Sequence, residues 1–302
     1  MLNKPAEYSM DFNEAGWLEV ANHKSDKLSH ISKINGVFFQ LNYNNEELFG
    51  HYKVILEDKV LFLKIMNLES FSSQMMAESI ANHLVKSGIK TICALPNFPI
   101  VNNEHNLMIL GYPFISCSYL ANDPETIGSV GAELGKLHLS LGQLTDSMKV
   151  NRNSTQHLEF CLSNKSKLYA ELDGKDIDSD NIKETIDTFM IKEFISSPQV
   201  IHGDLNHGNI VVSNPTKEIT FIDFEEATRS FFNPMVDVAM TIERFIRTQT
   251  SRQDDLFIEF KKNYIKITGE WFRSPVQLPN ILRGLSARAL LLLASIKPEN
   301  SS

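Results

Sequence analysis

Cysteine is scarce in this sequence. Cys93, Cys117 and Cys161 are odd in number, widely spaced and free of any Cys-x-x-Cys pair. That argues against a disulfide framework and against a cysteine zinc cluster, and it suits a reducing cytoplasm. Long apolar runs are missing as well. The stretch MLNKPAEYSMDFNEAGW has no uninterrupted apolar segment of the kind a secretory signal needs, so export is not expected. Near the other end, Ala289 to Ala294 falls far short of the roughly 20 residues of a membrane-spanning helix and reads as a buried helix. Basic charge is also in deficit. With 29 Lys and Arg against 37 Asp and Glu the formal charge is -8, which disfavours a grip on nucleic-acid phosphates and suits a cationic substrate only weakly. There is no internal repeat, no low-complexity tract and no G-x-G-x-x-G; the loop Leu41 to Gly50, LNYNNEELFG, holds one glycine.

What is present is a balanced globular composition, 42% hydrophobic and 22% charged, enough for independent folding. At 302 residues, one large domain or two lobes sharing a cleft are the natural readings. Trp17, Leu18 and Val20 suggest a short helix. From Gly36 to Met66 the texture is β: Val37 to Leu41, Tyr52 to Leu56 and Val60 to Met66 are rich in β-branched and aromatic residues and predict three antiparallel strands. The last two are joined by the polar turn Glu57-Asp58-Lys59. Met76, Ile80 and Leu84 then recur at helical spacing before a Gly88 stop. Asn106 to Leu110 reads as a buried strand, and the breakers Gly111-Tyr112-Pro113 suggest a hinge, with lobes 1–111 and 112–302.

Beyond that hinge the pattern is helical, with Val130, Leu134, Leu137 and Leu141 on one stripe. It is interrupted by three short apolar runs, Val200-Ile201, Ile210 to Val212 and Ile219 to Ile222. A helix from Pro234 to Ile246 is expected, with Asn233 as its cap. The polar loops between the short runs carry the chemistry. Asp204 and Asn209 stand five apart in one loop, and Asp223 ends the strand across the next hairpin. Phosphoryl transfer asks for such a set: a carboxylate to orient the attacking hydroxyl, and hard oxygen ligands for Mg²⁺, which takes only one or two from protein.

The segments HGDLNHGNIVV and ITFIDFEEA resemble the catalytic and metal-binding loops of the aminoglycoside phosphotransferase and choline kinase superfamily, relatives of the protein kinases. Gly203 in place of the protein-kinase Arg, and Glu225 after Asp223-Phe224, point to the small-molecule branch. The resemblance spans roughly residues 35 to 245. It implies an α+β, protein-kinase-like fold of two lobes: a small antiparallel β-sheet N-lobe with one helix for the nucleotide, and a larger, mainly helical C-lobe for catalysis and substrate. It further implies ATP as donor, Mg as cofactor, and a small-molecule acceptor with no nucleic-acid or membrane partner. By resemblance Asp204 is the catalytic base, Asn209 and Asp223 are the Mg²⁺ ligands, and Lys64 is the phosphate-binding lysine with Glu78 as its partner. His202 and Asp237 brace the catalytic loop, the latter within FNPMVDVA, and Gly135-Lys136-Leu137-His138 matches the end of a long lower-lobe helix. Physical chemistry supports the Lys64–Glu78 pairing separately, because an inward-facing ammonium on an apolar strand is costly without a counter-charge.

Several residues have plainer readings. The Leu41 to Gly50 loop is as good a polar turn as a phosphate cover. His207, where many relatives have Pro, reads first as a solvated loop histidine and only second as a substrate contact. Glu225 and Glu226 could meet a metal or an amine, but adjacent acids after a strand are usually part-solvated. The acidic run from Glu171 through Asp173, Asp176, Asp178 and Asp180 to Asp187 reads as a solvated face rather than a lure for cations. The functional expectation is transfer of the γ-phosphate of ATP to a hydroxyl of an amino alcohol, sugar, aminoglycoside or related metabolite. The alternatives are a protein acceptor, a metal-dependent phosphoesterase built on His202, Asp204, His207 and Asn209, or a non-catalytic binding module.

Overall fold

The computed structural model describes residues 17–19, 37–41, 49–55, 59–104, 106–173, 179–214, 216–249 and 252–296. The chain divides into two compact units, Met1–Leu120 with Ile210–Ile222, and Ala121–Asn209 with Asp223–Ser302. The architecture is the α+β class expected.

The first unit is built on six antiparallel strands, β1 (Trp17–Glu19), β2 (Val37–Leu41), β3 (Gly50–Ile55), β4 (Val60–Asn67), β5 (Ile100–Asn102) and β6 (Leu107–Pro113), in the order β1-β2-β3-β4-β6-β5. The period of two sorts the side chains. Tyr52, Val54, Leu63, Ile65, Leu107 and Ile109 form a buried cluster on one face, with Phe98 and Ile100 against it. Lys64 falls on the other face, its cross-strand partners being His51 and Leu110. Helix α1 (Phe71–Lys86) follows β4, buries Met76, Ile80 and Leu84, and stops before Gly88 at φ +80°.

Four further short strands come later, β7 (Cys117–Ser118), β8 (Gln199–Val200), β9 (Ile210–Ser213) and β10 (Ile219–Phe221), with β11 (Phe231–Phe232) after them. Strands β10, β9 and β7 form a sheet in the first unit, whereas β8 and β11 pair within the second. The rest of the second unit is helical: α2 (Pro124–Leu141), α3 (Ser147–Ser163), α4 (Lys165–Leu172), α5 (Ser179–Glu184), α6 (Met190–Phe194), α7 (Met235–Thr241), α8 (Gln253–Thr268) and α9 (Gln277–Ile296). The stripe Val130, Leu134, Leu137 and Leu141 of α2 is wholly buried. The glycines of α2 face α8: a Cβ on Gly131 would strike the Phe260 carbonyl oxygen, one on Gly128 would lie 2.9 Å from Asn263, and one on Gly135 2.9 Å from Ile267. Three absent side chains let the two helices touch backbone to side chain.

Three expectations need correction. Trp17 and Leu18 belong to a strand, not a helix, because Trp17, Leu18 and Glu19 pair with Leu41, Gln40 and Phe39; pairing over more than twenty residues of sequence overrides a weak local pattern. Val20, the turn at 56–58 and the loop positions 42–48 lie outside the described residues. The boundary expected after Gly111 falls inside β6, whose ladder with β4 runs on through Gly111, Tyr112 and Pro113. Gly111 is a close-approach residue there, since a Cβ would run into the Phe98 ring. Third, the helix expected from Pro234 to Ile246 is α7 followed by a π-helical turn, Ile242–Ile246. Asn233 does cap it, Oδ1 accepting the Met235 N–H at 2.9 Å.

Candidate active site

The segment between β8 and β9 is an irregular loop, and two of its backbone N–H groups are held by one side chain from α7. The Asp237 carboxylate, 0% exposed, accepts the His202 N–H on Oδ2 at 2.8 Å and the Gly203 N–H on Oδ1 at 2.9 Å. A carboxylate without solvent requires such donors. A third comes from α2, where His138 Nε2 lies 3.2 Å from Asp237 Oδ2. Its Nδ1 is 2.8 Å from the Tyr264 hydroxyl on α8. Burial, and secondarily the charge on Asp237, push the Tyr264 phenol pKa up, so it stays protonated and can donate to Nδ1 while Nε2–H donates to the carboxylate. His202 is also fully buried, its ring 4.8 Å from Phe224 and its Nδ1 3.4 Å from the Asp204 N–H.

Gly203 bends the loop at φ +81°, and a Cβ there would collide with the Ser230 hydroxyl. Only glycine meets both demands. The turn sets out Asp204, which is half-buried. Its Oδ2 accepts from Asn206 Nδ2 at 2.9 Å and Asn209 Nδ2 at 3.1 Å, and Arg244 Nη1 stands 3.4 Å from Oδ1. Asn206 closes the turn a second way by accepting the Gly208 N–H at 2.7 Å. Asn209, 8% exposed, also donates to the Asp204 carbonyl at 2.8 Å, so its amide nitrogen is committed and its Oδ1 is the atom left for an external ligand. Asp223, two residues past β10, sits in the left-handed region at φ +64°. One amide oxygen and one carboxylate are a hard donor pair that fits a largely hydrated Mg²⁺. Among the described residues no cluster of three or more His, Cys, Asp or Glu side chains is arranged to hold a metal.

In the first unit, Glu78 of α1 accepts the Tyr112 hydroxyl at 2.6 Å and the Ala94 N–H at 2.9 Å. Tyr112 is the cross-strand partner of Phe62, two residues before Lys64, so Glu78 and Lys64 share one face of the sheet.

His207 packs its ring edge-on against Phe245, centroids 4.4 Å apart. Burial, with the nearby Arg244 charge, holds its imidazole below the usual range, against a hydrogen bond to the Arg244 backbone that acts the other way. Glu226 is part-solvated, its side chain 25% exposed, and it is paired as well. Burial pushes its carboxyl up, but hydrogen bonding and charge from Arg229, with charge from Arg288, outweigh that and hold it below the usual carboxylate range. In the acidic run, Asp173 pairs with Lys183 and Asp187 with Lys165 at part-exposed surface; Asp176 and Asp178 lie outside the described residues.

Sequence reading missed Asn206 and Arg244. The first had a signal, an Asn two residues before a Gly. The second stands seven residues after Asp237, two helical turns along the same face, although the π turn could not be foreseen. Asp204, Gly203, Arg244 and Glu226 line a cavity of about 1480 Å³ within the second unit.

The sequence matches the model of the phosphotransferase enzyme family over residues 51–271. The chain belongs to that family. No curated protein matches the sequence. Among solved structures, an amicoumacin kinase in complex with AMP-PNP, Ca²⁺ and Ami is similar at 13% identity and TM-score 0.58, covering 94% of this chain and 89% of that one. A spectinomycin phosphotransferase in complex with ADP and spectinomycin is similar at 17% identity and TM-score 0.58, over 92% and 89%. Choline kinase LicA from Streptococcus pneumoniae is similar at 16% identity and TM-score 0.51, over 89% and 99%. At these identities the likeness is one of fold.

Proposed function

We propose that this phosphotransferase moves the γ-phosphate of ATP, with Mg²⁺, to a hydroxyl of a small molecule. The observation that carries this is the state of Asp204. The backbone just before it is held by Asp237, its Oδ2 is taken up by two amide donors, its Oδ1 has only Arg244 at 3.4 Å among the described residues, and the residue lines a cavity of about 1480 Å³. An acceptor hydroxyl in that cavity would donate to Oδ1, and the carboxylate would align its oxygen for in-line attack and receive its proton as the new O–P bond forms. Asn209 through Oδ1 and Asp223 would hold Mg²⁺, which when bound neutralises charge on the donor phosphates. Lys64, oriented on the Glu78 face of the sheet, would bind those phosphates. Solved relatives of the same fold carry AMP-PNP with Ca²⁺, or ADP, which supports a nucleotide donor and a divalent cation. The cavity beside Asp204, lined by both apolar and charged side chains, suits a metabolite acceptor.

The test is phosphate transfer from ATP across a library of hydroxylated metabolites, read by phosphorus NMR. Asp204→Asn, which keeps an oxygen for the two amide donors, should lower turnover by roughly 10²- to 10⁴-fold with the unfolding midpoint unchanged. Wild-type turnover in that variant would sink the base assignment.

A further inference from the structure

The cavity beside Asp204 is lined by five arginines, Arg229, Arg244, Arg247, Arg283 and Arg288, against three carboxylates, Asp204, Glu226 and Glu243. Pairing does not remove the excess. Arg244 lies on Asp204 and Arg247 on Glu243. Glu226 has to serve both Arg229, which bonds it through Nε at 3.1 Å, and Arg288, whose Nη2 is 3.5 Å from Oε2. Arg283 is exposed and has no carboxylate partner among the described residues.

Arg288 is the informative member. It is 8% exposed, lies over the Phe232 ring at 5.8 Å, and its buried Nε has no hydrogen-bond partner among the described residues. Its guanidinium also meets the Cys161 thiol, which burial keeps protonated and which adds no counter-charge, so a group desolvated to that degree is left with a 3.5 Å contact to a shared carboxylate. His157, on the same wall, adds no anion, and burial with the charges of Arg288 and Arg229 keeps its imidazole neutral at physiological pH. The wall therefore holds two guanidiniums for one carboxylate. It stands next to the catalytic loop, because a Cβ on Gly203 would lie 3.4 Å from the Glu226 Cβ.

We propose that the acceptor is a hydroxylated molecule carrying an anionic group, carboxylate or phosphate, which seats on Arg288 and Arg229 while its hydroxyl reaches Asp204. This rests on the phosphotransfer reading of the loop. The anionic end supplies the counter-charge that one carboxylate shared by two guanidiniums leaves missing, and a cationic acceptor is repelled from the same wall. Apolar residues such as Phe160, Leu278 and Leu282 line other parts of the cavity and suit an uncharged body between the two ends.

The experiment uses the full chain and four probes: glycerate, glycerol 3-phosphate, choline and kanamycin. Each is titrated against the protein by thermal shift and by ligand-observed NMR, with transfer from ATP followed in parallel. At least one of the two acids should bind and raise the unfolding midpoint, and which one responds distinguishes carboxylate from phosphate; choline and kanamycin should not. Arg288→Met should weaken the acid at least 10-fold, and Arg288→Lys, which keeps the charge without the fork, by less; circular dichroism establishes that both are folded. Binding by the cations in preference to the acids, binding by neither acid, or undiminished acid affinity in folded Arg288→Met overturns the proposal, the last leaving Arg229, Glu226 and Arg288 as internal scaffolding. Acid binding with no phosphate transfer to any acceptor would instead sink the phosphotransfer reading and leave the anion site standing.

Discussion

Arg244 Nη1 and Asp204 Oδ1 meet at 3.4 Å across forty residues of sequence, the guanidinium coming from the π turn after α7 and the carboxylate from the loop before β9. Both side chains are about 40% exposed, 41% and 37%, so the pair adds under about 1 kcal/mol to stability. Its effect should lie in positioning instead. Arg244→Ala is expected to leave the unfolding midpoint within a few degrees while kcat/KM falls by roughly 10-fold, as expected when a reacting group loses its orientation. Steady-state kinetics beside a melting curve would check both halves, and Arg244→Lys should fall between.

Asp237 should behave in the opposite way. It is wholly buried and takes two backbone N–H groups and His138, so Asp237→Ala strands three donors and should cost about 3–5 kcal/mol. Asp237→Asn keeps one acceptor but turns a nitrogen toward the other donor, and should cost less. Urea unfolding of the two variants would rank them.

Gly203→Ala should be destabilised by about 1–2 kcal/mol from the left-handed backbone alone, and by more from the contact with Ser230. Removing that obstacle with Ser230→Gly should recover part of the loss. A double-mutant cycle ought to return a coupling above about 0.5 kcal/mol; additivity within error would mean the loop relaxes away from Ser230.

His157 links stability to pH. Burial first, then the charges of Arg288 and Arg229, lower its imidazole from 6.5 to about 4. Between those values the unfolded chain binds more protons than the folded one. The contribution is therefore fully present above about pH 6.5 and is lost as the pH falls toward 4. Melting midpoints over that window should decline more steeply for the wild type than for His157→Gln, which cannot titrate.

Legibility followed sequence distance. Strands β3 and β4, helix α1 and the stripe on α2 rest on periods of two and 3.6, which a linear reading detects. Asp204, Asn209, Asp223 and Asp237 could be proposed from sequence because their spacing within short segments matches a known pattern. What did not show depends on partners far apart: β1 needs β2 to be a strand, the Gly111 backbone keeps pairing only because β4 lies beside it, and Glu226 meets Arg288 sixty-two residues later. Glu226 read as a part-solvated acid, which it is, but nothing near it in sequence foretells Arg288.

The glycines Gly128, Gly131 and Gly135 face only α8, yet they bear on the loop that carries Asp204. By letting α8 come up against α2, they bring Tyr264 within 2.8 Å of His138, and His138 in turn reaches the carboxylate that holds the His202 and Gly203 backbone. The spacing of two helix axes thus acts as a gauge for the catalytic loop. A single methyl added at Gly131 would be transmitted, through the side chains of Tyr264, His138 and Asp237, into a displacement of the backbone that carries Asp204.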